Sequence, residues 1–190
     1  MSYNWANFYS FEKMLKVVCR IINPQIVVEW GPGYSTTTLL RNSNAEIYGW
    51  ENVSGFYDRV NEQFKDEPRV HIHYGHTTGQ NGKKTPYVAA PLQLFKFGEI
   101  DVCFIDGRFR ADCILLAYHL IKDNGVVVVH DSKRPPYQES MKIFPYRFDD
   151  GRAGDGVGVY GKNEEIIKKV EELYNKTPVT DDWKELTGKI

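Results

Sequence analysis

Ile26-Val27-Val28-Glu29-Trp30-Gly31-Pro32-Gly33-Tyr34-Ser35-Thr36-Thr37-Thr38-Leu39-Leu40 is the stretch whose reading decides the fold of this chain. It opens with an apolar, β-branched run, the pattern of a strand buried in a parallel sheet. Two glycines flanking a proline then break the run. Ser35 or Thr36 is suited to cap a helix that continues through Leu39 and Leu40. Strand, glycine turn and helix N-terminus together form a nucleotide-binding device, because glycines let a ligand approach the backbone closely.

Residue types narrow the nucleotide. A dinucleotide fingerprint places a third glycine where Thr36 stands, and no Lys-Ser/Thr pair follows to make a phosphate loop. An acid, Glu29, lies instead near the carboxyl end of the strand. A carboxylate there favours a ligand with positive charge, and S-adenosylmethionine carries an ammonium and a sulfonium but no phosphate. Glu29-Trp30-Gly31-Pro32-Gly33-Tyr34-Ser35-Thr36 resembles the first motif of class I S-adenosylmethionine-dependent methyltransferases, with a plain strand–turn–helix joint as the alternative reading. The resemblance extends from residue 24 to about residue 161. It implies a Rossmann-like three-layer α/β/α sandwich whose seven-stranded sheet is mostly parallel with an antiparallel closing strand. It also implies that Glu29 and the Gly31–Gly33 backbone hold the methionine part of the cofactor, with Pro32, Ser35 and Thr36 in the same binding turn.

Bulk properties bound the rest. A chain of 190 residues fits one domain, 1–190, with an N-terminal helical segment over 1–22 and a tail over 177–190. A formal net charge of −1 gives no global basic field for nucleic acid or an anionic membrane. Cys19, Cys103 and Cys113 lack metal-like spacing and read as small buried hydrophobes of a reducing compartment. Met1-Ser2-Tyr3-Asn4-Trp5 lacks the basic and apolar regions of a signal peptide, and no apolar run reaches the ~18 residues of a membrane span. The expectation is a cytoplasmic protein with a small-molecule acceptor as partner, no nucleic acid and no membrane. A homodimer is left open.

Elsewhere the periodicities are clear. Phe11, Met14, Leu15, Val18, Cys19 and Ile22 follow a helical period that Asn23-Pro24 ends. The aromatics Tyr3, Trp5 and Tyr9 either pack on the sheet or cover the substrate. Glu46–Glu51 reads as a second strand, and Glu51 lies where Rossmann-like folds place the acid that binds ribose hydroxyls, about twenty residues past the glycine turn. Asn52 and Val53 border the adenine in that reading. Phe56, Val60 and Phe64 share one face of a following helix. Arg69–Tyr74 alternates as a third strand that sets His71 and His73 on one face, and His76 beyond it is a cofactor neighbour. Residues 77–93 read as one long loop, in which Lys83 and Lys84 favour an anionic substrate. Ile100–Asp106 is a fourth strand, a helix spans Ala111–Ile121, and Gly125 suits the left-handed residue that closes it. Val126–Asp131 is a fifth strand, whose four consecutive valines make it central and buried on both faces. Ser132–Tyr137 reads as a rigid loop, Phe144–Phe148 and Val157–Gly161 as strands, and Asn163–Tyr174 as an amphipathic helix.

Four expected strands thus end in acids: Glu29, Glu51, Asp106 and Asp131. In open α/β sheets ligands lie beyond the carboxyl ends of the strands, so these acids mark one rim. Clustered like charges repel, which stability alone would not select. Asp106 and Gly107 fall at the switch between cofactor and acceptor, while His130 and Asp131 face the acceptor. His130 suits a general base for a hydroxyl nucleophile, or else orients Asp131. Arg108 and Arg110 suit an anionic acceptor, or else pair on the surface. Catechol-type O-methyltransferases hold a divalent cation such as Mg²⁺ with acids after the fourth and fifth strands, and the resemblance implies the same for Asp106 and Asp131. Here His130-Asp131 stands where the catechol-type pattern has Asp-Asn. Arg134-Pro135-Pro136-Tyr137 resembles the D/N-P-P-Y motif of amino-methyltransferases but follows the wrong strand. The function expected is methyl transfer from S-adenosylmethionine to a small-molecule hydroxyl, of a sugar or another metabolite. The alternatives are an NAD-dependent oxidoreductase and a silent nucleotide-binding scaffold.

Overall fold

A computed structural model describes residues 6–76, 85–151 and 156–178, with backbone alone for 6–10, 85 and 86. Tyr3, Trp5, Lys83, Lys84, most of the tail and the side chain of Tyr9 therefore lie outside the described residues.

Helix α1 (Ala6–Ile22) buries Phe11, Met14, Leu15 and Val18 along one face. It stops where Asn23 turns left-handed at φ 48° and donates its amide to the Cys19 carbonyl at 2.9 Å, a short polar residue tolerating that conformation at a helix end. Seven strands follow: β1 (Ile26–Trp30), β2 (Glu46–Glu51), β3 (Val70–Tyr74), β4 (Ile100–Ile105), β5 (Ile121–His130), β6 (Tyr146–Asp149) and β7 (Val157–Gly161). They form one sheet in the order β3-β2-β1-β4-β5-β7-β6. The first five run parallel, and β7 is inserted antiparallel between β5 and β6. Strand order reverses between β1 and β4, which opens the ligand crevice of such sheets at their carboxyl ends.

Strand alternation builds two cores. Val27, Val102, Phe104, Val126 and Val128 face a layer made by α1, α2 (Tyr34–Asn42), α3 (Ser54–Phe64) and α7 (Glu164–Lys176). Val28, Cys103, Ile105, Val127 and Val129 face α4 (Thr85–Ala89), α5 (Arg110–Leu120) and α6 (Pro135–Met141). The four consecutive valines of β5 are fully buried, two on each side, as expected of a central strand. The three-layer fold is thus the one the sequence implied. Among the described residues, no helix is long and apolar enough to cross a membrane.

Local expectations differ in four places. Neither Ser35 nor Thr36 caps α2: Gly33 holds the cap position, and Thr36 reaches back so that its Oγ1 accepts from the Gly33 amide at 3.0 Å. Residues 85–93 are helical, in α4 and a 3-10 turn over Ala90–Gln93, because Tyr87 is fully buried and anchors them. The loop at 132–137 gives way to α6, with proline at the first helical position where no amide is needed. Gly125 is not left-handed. It lies within β5, where a Cβ would come 2.9 Å from the carbonyl oxygens of Ile100 and Asp101.

Candidate active site

Four adjacent parallel strands, β2, β1, β4 and β5, end along one rim. Hydrogen bonds hold the turns that leave them level. The Gly31 amide donates to the Trp50 carbonyl at 3.0 Å, and the Asp106 amide donates to the Trp30 carbonyl at 2.9 Å. Above this rim lies a cleft of about 830 Å³. Its floor is Gly31, Pro32, Gly33 and Ser35 from the first turn, with Asp106 and Gly107 from the β4 turn. Glu51, Asn52 and Val53 line one end, and His130, Arg134 and Tyr137 the other. Arg108 is an exposed part of its wall.

The two turns touch. Gly31 is left-handed at φ +89°, and a Cβ there would meet the Gly107 nitrogen at 2.7 Å. Only glycine fits that backbone conformation and that gap. Glu51 is pinned by its own loop: Oε1 accepts from the amides of Asn52 and Val53, both at 2.7 Å. Oε2 is the oxygen left to meet a ligand.

Glu29 lies beneath the first turn rather than on the cleft wall. It is fully buried, Oε2 accepts from Thr36 Oγ1 at 2.7 Å, and Oε1 has no hydrogen-bond partner. Burial pushes its pKa up to about 7, against hydrogen bonds from Ser35 and Thr36 that pull it down. The charge of Asp106 adds to the rise. An unpartnered buried carboxylate oxygen is costly, which is the cost that the raised pKa expresses. Thr36 is also fully buried and acts by holding Glu29 and the Gly33 amide.

At the other end, Asp106 Oδ1 accepts from His130 Nδ1 at 2.8 Å. Burial pulls the His130 pKa down, but the Asp106 hydrogen bond and the charges of Asp106 and Asp131 outweigh it. Arg110 pulls the other way, and the net shift is upward. With Nδ1 directed to Asp106, Nε2 is the nitrogen without a hydrogen bond among the described residues, and it stands 3.8 Å from Asp131 Oδ1. The Phe11 ring meets the imidazole edge-on at 5.3 Å.

Arg110 was expected to face an anionic ligand. Instead its five N–H groups are all engaged inside the protein. Nε donates to the Gly107 carbonyl at 3.0 Å. Nη1 donates to the His130 carbonyl at 2.6 Å and to Asp131 Oδ2 at 2.9 Å. Nη2 donates to the carbonyl and Oδ1 of Asp106, both at 2.8 Å. Asp131 consequently is buried off the cleft wall, not facing an acceptor, and Arg134 adds a contact to its Oδ2 at 3.2 Å. Two non-glycine residues bracket this hub in left-handed conformation, Phe109 at φ 53° and Asp131 at φ 58°. Such backbone persists where surrounding contacts enforce it.

The remaining expected residues are elsewhere. His76 is exposed, stands 4.7 Å from the Tyr74 ring, and does not line the cleft. His71 and His73 are stacked on their cross-strand partners Tyr48 and Trp50, and His71 Nε2 bonds Glu46 at 2.8 Å. They form no shared ligand pair. Phe11, Phe56 and Tyr137 line the cleft without having been singled out as site residues. The bridging role of Arg110 was signalled only by its position four residues after Asp106, where α5 begins.

No family model and no curated protein matches the sequence. Solved structures do match in fold. A spermidine synthase from Thermotoga maritima is 18% identical over 90% of this chain and 66% of its own, with a TM-score of 0.63. A methyltransferase-like protein from Silicibacter pomeroyi is 15% identical over 92% and 96%, with a TM-score of 0.60. A methyltransferase from Geobacter sulfurreducens is 16% identical over 79% and 77%, with a TM-score of 0.57. The chain thus spans just under two thirds of the synthase. At these identities the likeness is one of fold, and the fold is the Rossmann-like one implied by the sequence motif.

Proposed function

We propose that this protein transfers a methyl group from S-adenosylmethionine to a small-molecule acceptor, at a hydroxyl oxygen. The observation that carries this is the pairing, along one cleft, of a carboxylate-lined nucleotide end with an Asp106–His130 couple at the other end. Two features suit the cofactor's chemistry. The nucleotide end offers the Glu51 carboxylate on the cleft wall, which repels a pyrophosphate, with Glu29 buried beneath the turn. The Gly31–Gly33 turn leaves open space above Gly33, where a Cβ would meet nothing within 4 Å. An NAD-dependent reaction is disfavoured by that same charge.

When bound, the cofactor supplies an electrophilic methyl carbon on a sulfonium. The protein supplies placement and proton removal. Glu51 Oε2 would hold a ribose diol, Glu29 would act on the methionine part only from beneath the turn, and the Gly31 and Gly107 backbones would set how deep the ligand sits. His130 takes the acceptor's hydroxyl proton at Nε2, while Asp106 holds the ring at Nδ1 and stabilises the imidazolium. The Gly31–Gly33 turn and Glu51 would hold the cofactor so that its methyl group passes to the acceptor oxygen with the sulfur as leaving group. In-line placement is the larger part of the acceleration. Arg108, exposed on the wall, is placed to meet an anionic part of the acceptor.

The test is release of S-adenosylhomocysteine from S-adenosylmethionine in the presence of a pool of hydroxylated metabolites. Acceptor-dependent release that His130→Gln abolishes supports the reading. Acceptor-independent background at every pH would overturn it.

A further inference from the structure

Asp106, His130 and Asp131 each present a ligand atom within 4.8 Å of the others, so distance alone would admit a metal ion. The charges around them do not. The Arg110 guanidinium bridges the two carboxylates, with Nη2 on Asp106 Oδ1 and Nη1 on Asp131 Oδ2. Arg134 places a second guanidinium on Asp131. Two carboxylates against two guanidinia leave no net negative charge. A hard divalent ion needs several oxygen ligands with net negative charge. Here one oxygen of each carboxylate is already taken, and a fixed cation repels a second one at close range.

Arg110 is also unable to swing aside cheaply. Three of its five bonds go to backbone carbonyls, of Asp106, Gly107 and His130, which tie the ends of β4 and β5 together. Its side chain is only 11% exposed. Displacing it would strand a buried charge and three carbonyls.

We propose that Arg110 is the resident cation of this site. It stands in for the divalent ion of catechol-type methyltransferases, excludes metal, and acts as a positioning residue for the Asp106–His130 couple. The assignment does not rest on methyl transfer: a protein that ignores S-adenosylmethionine and Mn²⁺ alike would sink the function and leave Arg110 in its role.

The test is Mn²⁺ binding followed by electron paramagnetic resonance. Wild type should bind no stoichiometric Mn²⁺ at millimolar concentration. Arg110→Gln, which leaves Arg134 as the remaining guanidinium on the two acids, should bind Mn²⁺ at least tenfold more tightly than wild type, and the gain should vanish in Arg110→Gln with Asp131→Asn. Arg110→Lys keeps a charge and should show no gain. One equivalent of Mn²⁺ bound by wild type and lost in Asp131→Asn would overturn the proposal. So would a folded Arg110→Gln, verified by thermal unfolding, that binds no more tightly than wild type. If Arg110→Gln does not fold, the wild-type titration alone decides.

Discussion

His130 Nδ1 and Asp106 Oδ1 lie 2.8 Å apart, joining residues at the ends of two neighbouring parallel strands. The bond fixes which imidazole nitrogen faces Asp106, and the proposed base is the other one, Nε2, 3.8 Å from Asp131 Oδ1. If that nitrogen is the base, His130→Gln should lower kcat by about 10²- to 10⁴-fold, the usual size of a general-base contribution. The Kd for S-adenosylmethionine should hardly move. Steady-state rates and calorimetry on the same variant check the two halves.

The pH dependence of the rate follows with a definite sign. The base must be neutral, and Asp106 holds the His130 pKa above its ordinary value of 6.5. The rate should therefore rise with pH through a midpoint above 6.5. Asp106→Asn removes both the hydrogen-bond acceptor and the charge, so the midpoint should fall. A pH–rate profile for the two proteins measures this.

Glu29 gives a separate prediction, for stability. Its folded pKa is raised from 4.5 to about 7, so the folded state binds more protons than the unfolded state between those values. The contribution of this group is fully present below pH 4.5 and is lost as pH rises through about 7. At pH 8 and without ligand, Glu29→Gln should be more stable than wild type by about 3 kcal/mol. The advantage should disappear at pH 4, as read by urea unfolding at both values. The same variant should lose affinity for S-adenosylmethionine, a trade of stability against function common at binding sites.

Gly31→Ala tests the contact between the two turns. The added Cβ would meet the Gly107 backbone at 2.7 Å and be held at φ +89°. A loss of about 1–3 kcal/mol in stability is expected from overpacking and strain. Cofactor affinity should fall with it, because the two turns that form the cleft floor are pushed apart. Thermal unfolding and a binding titration report the two effects.

Arg108, exposed on the cleft wall, is the guanidinium proposed to meet an anionic acceptor. Arg108→Ala should raise KM for carboxylate- or phosphate-bearing acceptors by about tenfold, the scale of a charge-assisted hydrogen bond. Neutral acceptors should be indifferent to it, and kcat should change little. Comparing the two acceptor classes on one variant is the check.

Much of this was legible in the residues. The β-branched run before Gly31 and the valines before His130 located the central strands, because a strand buried on both faces has few other compositions. Acids at strand ends located the rim. What the residues hid was compensation. Nothing in the spacing of Asp106 and Asp131 revealed that Arg110 bridges them, since the bridge exists only once β4 and β5 lie side by side. Glu29 was legible as an acid near the turn, but its burial beneath the turn depends on how α1 and α2 pack. Residues 85–93 were misread as loop because Gly, Pro and Thr just before them suggested one, while a buried Tyr87 anchors the short helix.

The central claim is that this rim binds a cationic, phosphate-free adenosine compound. Isothermal calorimetry with S-adenosylmethionine, and with NAD as the competing ligand, tests it most directly. The account predicts one site per chain for S-adenosylmethionine, at least tenfold weaker binding in Glu51→Ala, and no heat with NAD. Silence with S-adenosylmethionine, or equal binding of NAD, would contradict it.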